Sequence, residues 1–124
     1  MPSCLLIGKN FYPSKLIISK NIVLYLNYDP GDTSKFDNKQ KIIQSYGSCV
    51  LRLSEEIKNE DRIMFFAKWL LKNMNNLKKN GVEDFIFDIL WTGKQGNMEL
   101  SHEELSILAK LKIRIGITYD FEEE

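Results

Sequence analysis

His102, Cys4, Cys49 and a scatter of carboxylates are the residues of this chain whose types could do chemistry. Histidine occurs once, which excludes a histidine cluster for metal binding. His102 falls where a helix begins, next to Glu103 and Glu104, and it would need a nucleophile or a second carboxylate brought to it by the fold. An exposed helix-terminal residue is the preferred reading. Gly93-Lys94-Gln95-Gly96 shares only composition with a phosphate loop. The G-x-x-x-x-G-K-S/T spacing is missing, and no helix follows directly to aim amides at a phosphate. It reads as a hairpin turn. Asp29, Asp32 and Asp37 flank a Pro-Gly turn without the alternating ligands and closing Glu of a calcium loop. No catalytic set, metal or cofactor is expected.

Carboxylates are more telling as a surface. Asp120, Glu122, Glu123 and Glu124 end the sequence, and Glu55, Glu56, Glu60 and Asp61 precede the long helix. Such runs are commonly solvated; the functional alternative is an acidic docking surface, which speeds encounter with a basic partner and sets its register. The candidate partner-binding residues are Tyr28, Asp29 and Asp32 in an exposed turn, with Asp120, Glu122 and Glu123 after the last strand. Lys35, Lys39 and Lys41 in a polar segment, and Lys72, Lys78 and Lys79 on a helix, are interspersed with acids. They form no basic stripe, so no nucleic-acid partner is expected.

The composition bounds the rest. The 124 residues form one domain, 1–124, with 44% apolar and 27% charged residues, and 17 basic against 17 acidic side chains leave no net field. No run approaches the roughly 18 apolar residues of a membrane helix, and Met1 to Ile7 lacks the basic start of a signal peptide. A cytoplasmic protein is expected. Two cysteines without C-x-x-C spacing read as buried, reduced thiols, and the sequence leaves open a single bridge between Cys4 and Cys49.

These side chains need elements to position them. Cys4–Gly8 reads as a first strand. Pro13 can begin a turn or a helical turn, and Leu16 to Ile18 fit either a helical turn or a strand edge. Ile22–Tyr28 alternates as a strand and ends at Asp29-Pro30-Gly31-Asp32, which fits a type II turn. Residues 33–44 read as a surface loop. Gly47–Leu53 is a strand with Cys49, Leu51 and Leu53 on one face and Val50 and Arg52 on the other. A long helix opens near Asn59, carries Ile63, Phe66, Ala67, Leu70, Met74 and Leu77 on one face, and stops at Asn80-Gly81. Glu83–Thr92 is apolar on both sides, which predicts an interior strand. After the Gly93–Asn97 turn come a short strand, Met98–Leu100, and a helix capped by Ser101 and Glu104, burying Leu105, Leu108 and Ala109. Ile113, Ile115, Ile117 and Tyr119 then alternate with Arg114, Gly116, Thr118 and Asp120, predicting a strand with one face in the core. The fold class is α+β: a mostly antiparallel sheet of four to five strands with one long and one short helix packed on it.

The stretch from Trp91 to Leu105, then Leu108-Ala109 and the Ile113–Tyr119 strand, resembles the C-terminal signature of a family of small bacterial proteins. That family includes immunity proteins encoded beside secreted or contact-delivered toxins. Gly8-Lys9-Asn10-Phe11 with Pro13, Asp29-Pro30-Gly31-Asp32 and Tyr46-Gly47-Ser48 add to the resemblance. It implies a protein that is not an enzyme and that neutralises a cognate toxin, often a basic nuclease, by occluding its active site. Every residue carrying the resemblance sets a turn, cap or core position. Two other readings stay open: a small cytosolic enzyme with a site near Tyr28, Asp29 or His102, and a regulatory or structural subunit of a larger complex. The sequence leaves the oligomeric state open.

Overall fold

The computed structural model describes residues 1–32, 45–58, 61–93 and 99–121, with the backbone alone at 92, 93, 120 and 121. Burial in the first strand, β1 (Pro2–Gly8), alternates strictly: Pro2, Cys4, Leu6 and Gly8 are buried, and Ser3, Leu5 and Ile7 are half-buried. Consecutive side chains of a strand point to opposite faces, so this strand has one covered face and one open face. A 3-10 turn at Pro13–Lys15 follows, with Pro13 at its start. β2 (Ile22–Tyr28), β3 (Gly47–Leu53), α1 (Arg62–Lys79), β4 (Asp84–Gly93), α2 (His102–Leu111) and β5 (Arg114–Phe121) complete the order.

The five strands form one sheet in the order β2-β3-β1-β4-β5. The β2–β3, β3–β1 and β1–β4 pairings are antiparallel, and β4 and β5 are parallel. This is the α+β class read from the sequence, with β4 an interior strand as its two apolar sides predict. Phe66, Ala67, Leu70, Met74 and Leu77 of α1 are buried against Cys4, Leu6, Cys49, Leu51, Phe85, Phe87 and Ile89 of the sheet. Phe66 meets Phe87 edge-on, with ring centroids 5.6 Å apart. α1 ends in a Schellman motif, in which Gly81 N–H donates to the Lys78 carbonyl (3.0 Å) and Val82 N–H to that of Leu77 (3.2 Å). The αL residue this needs is Gly81, at φ +103°.

The structure corrects several expectations. Residues 94–97 of the expected hairpin turn lie outside the described residues, and the next described strand after β4 is β5. α2 intervenes and β5 returns parallel to β4, because parallel neighbours require a crossover. Glu99 and Leu100 belong to no strand; Met98 lies outside the described residues, as do Asn59 and the expected surface loop 33–44. The N-cap of α1 is Asp61, which makes no side-chain cap bond. α2 has both arms of its capping box, but it buries Leu108 and Leu111, whereas Leu105 is 52% exposed and Ala109 is exposed. A ten-residue helix lying mainly on α1 has a narrow contact stripe, and Leu105 falls outside it. The apolar side of β5 is not in the core either. Ile115, Ile117 and Tyr119 are 40%, 57% and 43% exposed, because β5 is an edge strand beyond the reach of α1.

The segment Asn10–Phe11 is seated by glycines. A Cβ on Gly47 would lie 1.7 Å from the Phe11 carbonyl oxygen, and one on Gly8 would lie 1.9 Å from that of Gly81. Phe11 is fully buried there. The sequence stretches around Phe11 and around Gly47 are thus two sides of a single contact.

Cys4 and Cys49 are buried on the covered face and unpaired. Burial pushes both thiols up to about 12, and for Cys4 the proximity of Cys49 adds to the effect. In the unfolded chain they ionise near 9. The fold therefore holds protons that the unfolded chain releases. Their stability contribution is intact below pH 9 and falls as pH rises from 9 towards 12, by up to about 1.4 kcal/mol per pH unit for each thiol. Urea midpoints measured from pH 8 to 10.5 should decline, and more steeply than for a Cys4→Ala/Cys49→Ala variant. Equal slopes would show that these thiols are not responsible.

Candidate protein-docking face

Both helices pack on one side of the sheet, so the alternate side chains of every strand form the other, open face. Pairing registers assemble that face in rows. One row runs Tyr25, Val50, Leu5, Ile86, Arg114; the next runs Val23, Arg52, Ser3, Asp88, Gly116. A further row brings Tyr28, Ser48, Ile7 and Asp84 together. Its centre is apolar and half-buried (Leu5, Ile7, Val50, Ile86), and Val23 and Tyr25 are 47% and 44% exposed at one side. Five strands about 4.8 Å apart and roughly 23 Å long give a face of roughly 19 by 23 Å.

Tyr25 and Tyr28 share the face because β2 is irregular between them. Strict alternation would put residues three apart on opposite sides. The register shifts between Tyr25 and Tyr28, and Leu26 takes φ +49°. A bulge of this kind re-aims one side chain and terminates regular pairing.

Charges on the face are arranged in fixed pairs. The Arg52 guanidinium lies over the Tyr25 ring, 4.4 Å from its centroid, a contact of about 0.5–1 kcal/mol at an exposed site. The Thr118 hydroxyl donates to Asp88 Oδ1 at 3.0 Å. Arg114 pairs with Asp84, with both side chains about half exposed or more, so the pair orients rather than stabilises. At the end of the face a cavity of about 130 Å³ is lined by Ser3, Arg52, Arg62 and Asp88 among others. Arg62 is only 7% exposed. Its Nη1 donates to the Ser54 and Ile57 carbonyls (3.0 and 3.1 Å) and its Nη2 to the Leu53 carbonyl (3.2 Å). It thereby holds the β3–α1 connection against the sheet. The sequence signal for Arg62 was its place four residues before Phe66 on the buried stripe of α1.

The residues expected from sequence to bind a partner are distributed differently. Asp29-Pro30-Gly31-Asp32 is the predicted type II turn, closed by Asp32 N–H to the Asp29 carbonyl (3.1 Å), with Gly31 at φ +91°. Asp29 Oδ1 accepts from Ser14 N–H at 3.1 Å, its Oδ2 from the Ser14 hydroxyl, and Asp32 Oδ2 from Asp29 N–H at 2.8 Å. The Asp29 carboxylate therefore braces the turn against the 3-10 segment, and that of Asp32 closes the turn on itself. Asp120 is in register with Thr92 at the far end of β5. Position 120 and Tyr28 share the open face but occupy diagonally opposite corners, four strand spacings apart. Glu122 and Glu123 lie outside the described residues. His102 is exposed and lines a groove between the helices with Met64, Lys68, Glu103, Ser106, Ile107 and Lys110. Neither Tyr28 nor Asp29 reaches that groove. Among the described residues, no group of three or more His, Cys, Asp or Glu side chains is placed to hold a metal ion, and no helix is long and apolar enough to cross a membrane.

No protein-family model matches the chain, and no curated protein or solved structure is significantly similar to it.

Proposed function

We propose that this domain is a protein-binding module that docks its partner on the open face of the sheet. With the resemblance to bacterial immunity proteins, its partner is a cognate toxin domain, of the nuclease class, whose active site the docked domain occludes. The domain acts stoichiometrically, without turning over a substrate, in the cytoplasm, where Cys4 and Cys49 stay reduced.

The supporting observation is the composition and layout of the face. It has an apolar centre (Leu5, Ile7, Val50, Ile86), two tyrosines, and two arginines held by ring or carboxylate contacts. Tyrosine and arginine around a dry apolar centre are the side chains that dominate interface energetics. The face covers roughly 440 Å², about half of what each partner contributes to a standard interface, so flanking residues such as the exposed Tyr46 share the contact. Arg52 and Arg114 against Asp84 and Asp88 make the face bipolar rather than acidic, in keeping with the balanced net charge.

The test is calorimetric titration of the purified chain with the product of the adjacent upstream gene, alongside protection of cells that express that product. Nanomolar binding and protection are expected. No heat at micromolar concentrations together with no protection would remove the toxin reading.

A further inference from the structure

The outer edge of β5 has a property that the sheet face does not: it is complementary to itself. Among the described residues β5 is the last strand of the sheet, and no strand pairs with its outer side. Its helix-side row is apolar but uncovered, with Ile115, Ile117 and Tyr119 40–57% exposed. Tyr119 leans on Trp91, with ring centroids 4.8 Å apart, so this apolar strip continues inward along the sheet. Natural edge strands are commonly protected by Lys, Pro or inward-pointing charge on the exposed row. This row carries none of them. An eight-residue edge of this kind is a template for pairing.

The order of residue types selects the partner. In an antiparallel pairing of β5 with a second β5 about a two-fold axis at Ile117, Ile117 meets Ile117, and Ile115 meets position 119. Gly116 meets position 118, and Arg114 meets position 120, an aspartate. Apolar types oppose apolar types along the helix-side row, and at each end an arginine position opposes an aspartate position, with no like-charged types paired. Shifting the pairing by one residue sets Ile117 against Thr118 and loses this match, because neighbouring positions lie on opposite faces. Isologous two-fold contacts require this self-complementarity.

We propose that β5 is a self-association edge. Two copies of this chain pair antiparallel through Arg114–Asp120 about Ile117, joining their two five-stranded sheets with all helices on one side. The open faces of both copies stay accessible, so this dimer and the docking of a different partner are independent. The pairing also covers the row that α1 and α2 leave exposed.

Sedimentation velocity of the full chain across a concentration series tests it. The expected result is a shift from 14.5 kDa to twice that mass. Ile117→Lys sets two ammonium groups face to face at the axis and should weaken association at least about 100-fold. Ile117 is more than half exposed, so this variant retains the wild-type far-UV circular dichroism. Register is read separately by oxidation of single-cysteine variants. Ile117→Cys should form an intermolecular disulfide, since directly opposed residues lie within bridging distance. Ile115→Cys should not, because the two copies of position 115 are about 13 Å apart along the strands. A chain that stays at 14.5 kDa at every concentration, an Ile117→Lys variant that still dimerises, or equal crosslinking at 115 and 117 would overturn the proposal.

Discussion

Replacing Gly47 with alanine is expected to destabilise the domain by more than about 3 kcal/mol, because overpacking against backbone cannot be relieved by a rotamer change. The added methyl would sit 1.7 Å from the Phe11 carbonyl oxygen and 2.7 Å from its carbon. Only a shift of the whole Asn10–Phe11 segment would make room for it. That segment is in turn held by Gly8 and Gly81, so the shift propagates into β1 and the end of α1. The ring of Phe11 is fully buried and would have to move with its backbone. Urea unfolding followed by circular dichroism measures the loss. Gly31→Ala is the comparison, since nothing lies within 4 Å of where its methyl would stand and only the φ of +91° resists it. A loss of about 1 kcal/mol is expected there, the ordinary cost of an L-residue in the left-handed region. If Gly47→Ala were no worse than Gly31→Ala, the seat around Phe11 would not be a rigid contact.

The second large effect concerns the open face. Val50→Asp places a carboxylate at the centre of the apolar row between Tyr25 and Leu5. It should weaken partner binding by about 2–4 kcal/mol, a factor of roughly 30 to 1,000. Tyr25→Ala removes the ring beneath Arg52 and should act in the same direction by a similar factor. Tyr25 is 44% exposed, so this truncation changes the melting temperature little. Asp29→Ala provides the contrast. Its carboxylate accepts from the backbone and hydroxyl of Ser14, so its loss lowers stability by about 1–2 kcal/mol while affinity stays within a few-fold. The reverse outcome, binding lost with Asp29→Ala and kept with Val50→Asp, would return the interface to the acidic turn.

These contrasts reflect what the chain states locally and what only pairing supplies. Strand alternation in Ile22–Tyr25 and Gly47–Leu53, the stripe of α1 and the Ser101 capping box are short-range patterns, and each is present where the sequence places it. The path after β4 depends on what pairs with β5. Two glycines and a lysine after Trp91 suit a hairpin, yet a helix between two strands is also the usual route to a parallel neighbour. The alternation of β5 reports that its two faces differ, and says nothing of whether the apolar one is covered. At a sheet edge it is not. Asp29 and Asp32 were conspicuous by charge, but their charge serves the turn. Val50 and Arg52 were legible as the other side of β3. Their meeting with Tyr25, Leu5 and Ile86 required the strand order. Tyr28 joins them only through the irregularity at Leu26, a backbone event with no obvious residue signature.

The most direct test of the docking assignment is side-chain footprinting of the domain alone and bound to the product of the adjacent gene, using a solvent-borne carbene label. Docking on the open face predicts protection at Val23, Tyr25, Leu5, Val50 and Ile86, with labelling unchanged at Leu71 and Leu105 on the helical side. Protection confined to the helices, with Tyr25 and Val50 labelled as in the free domain, would contradict it.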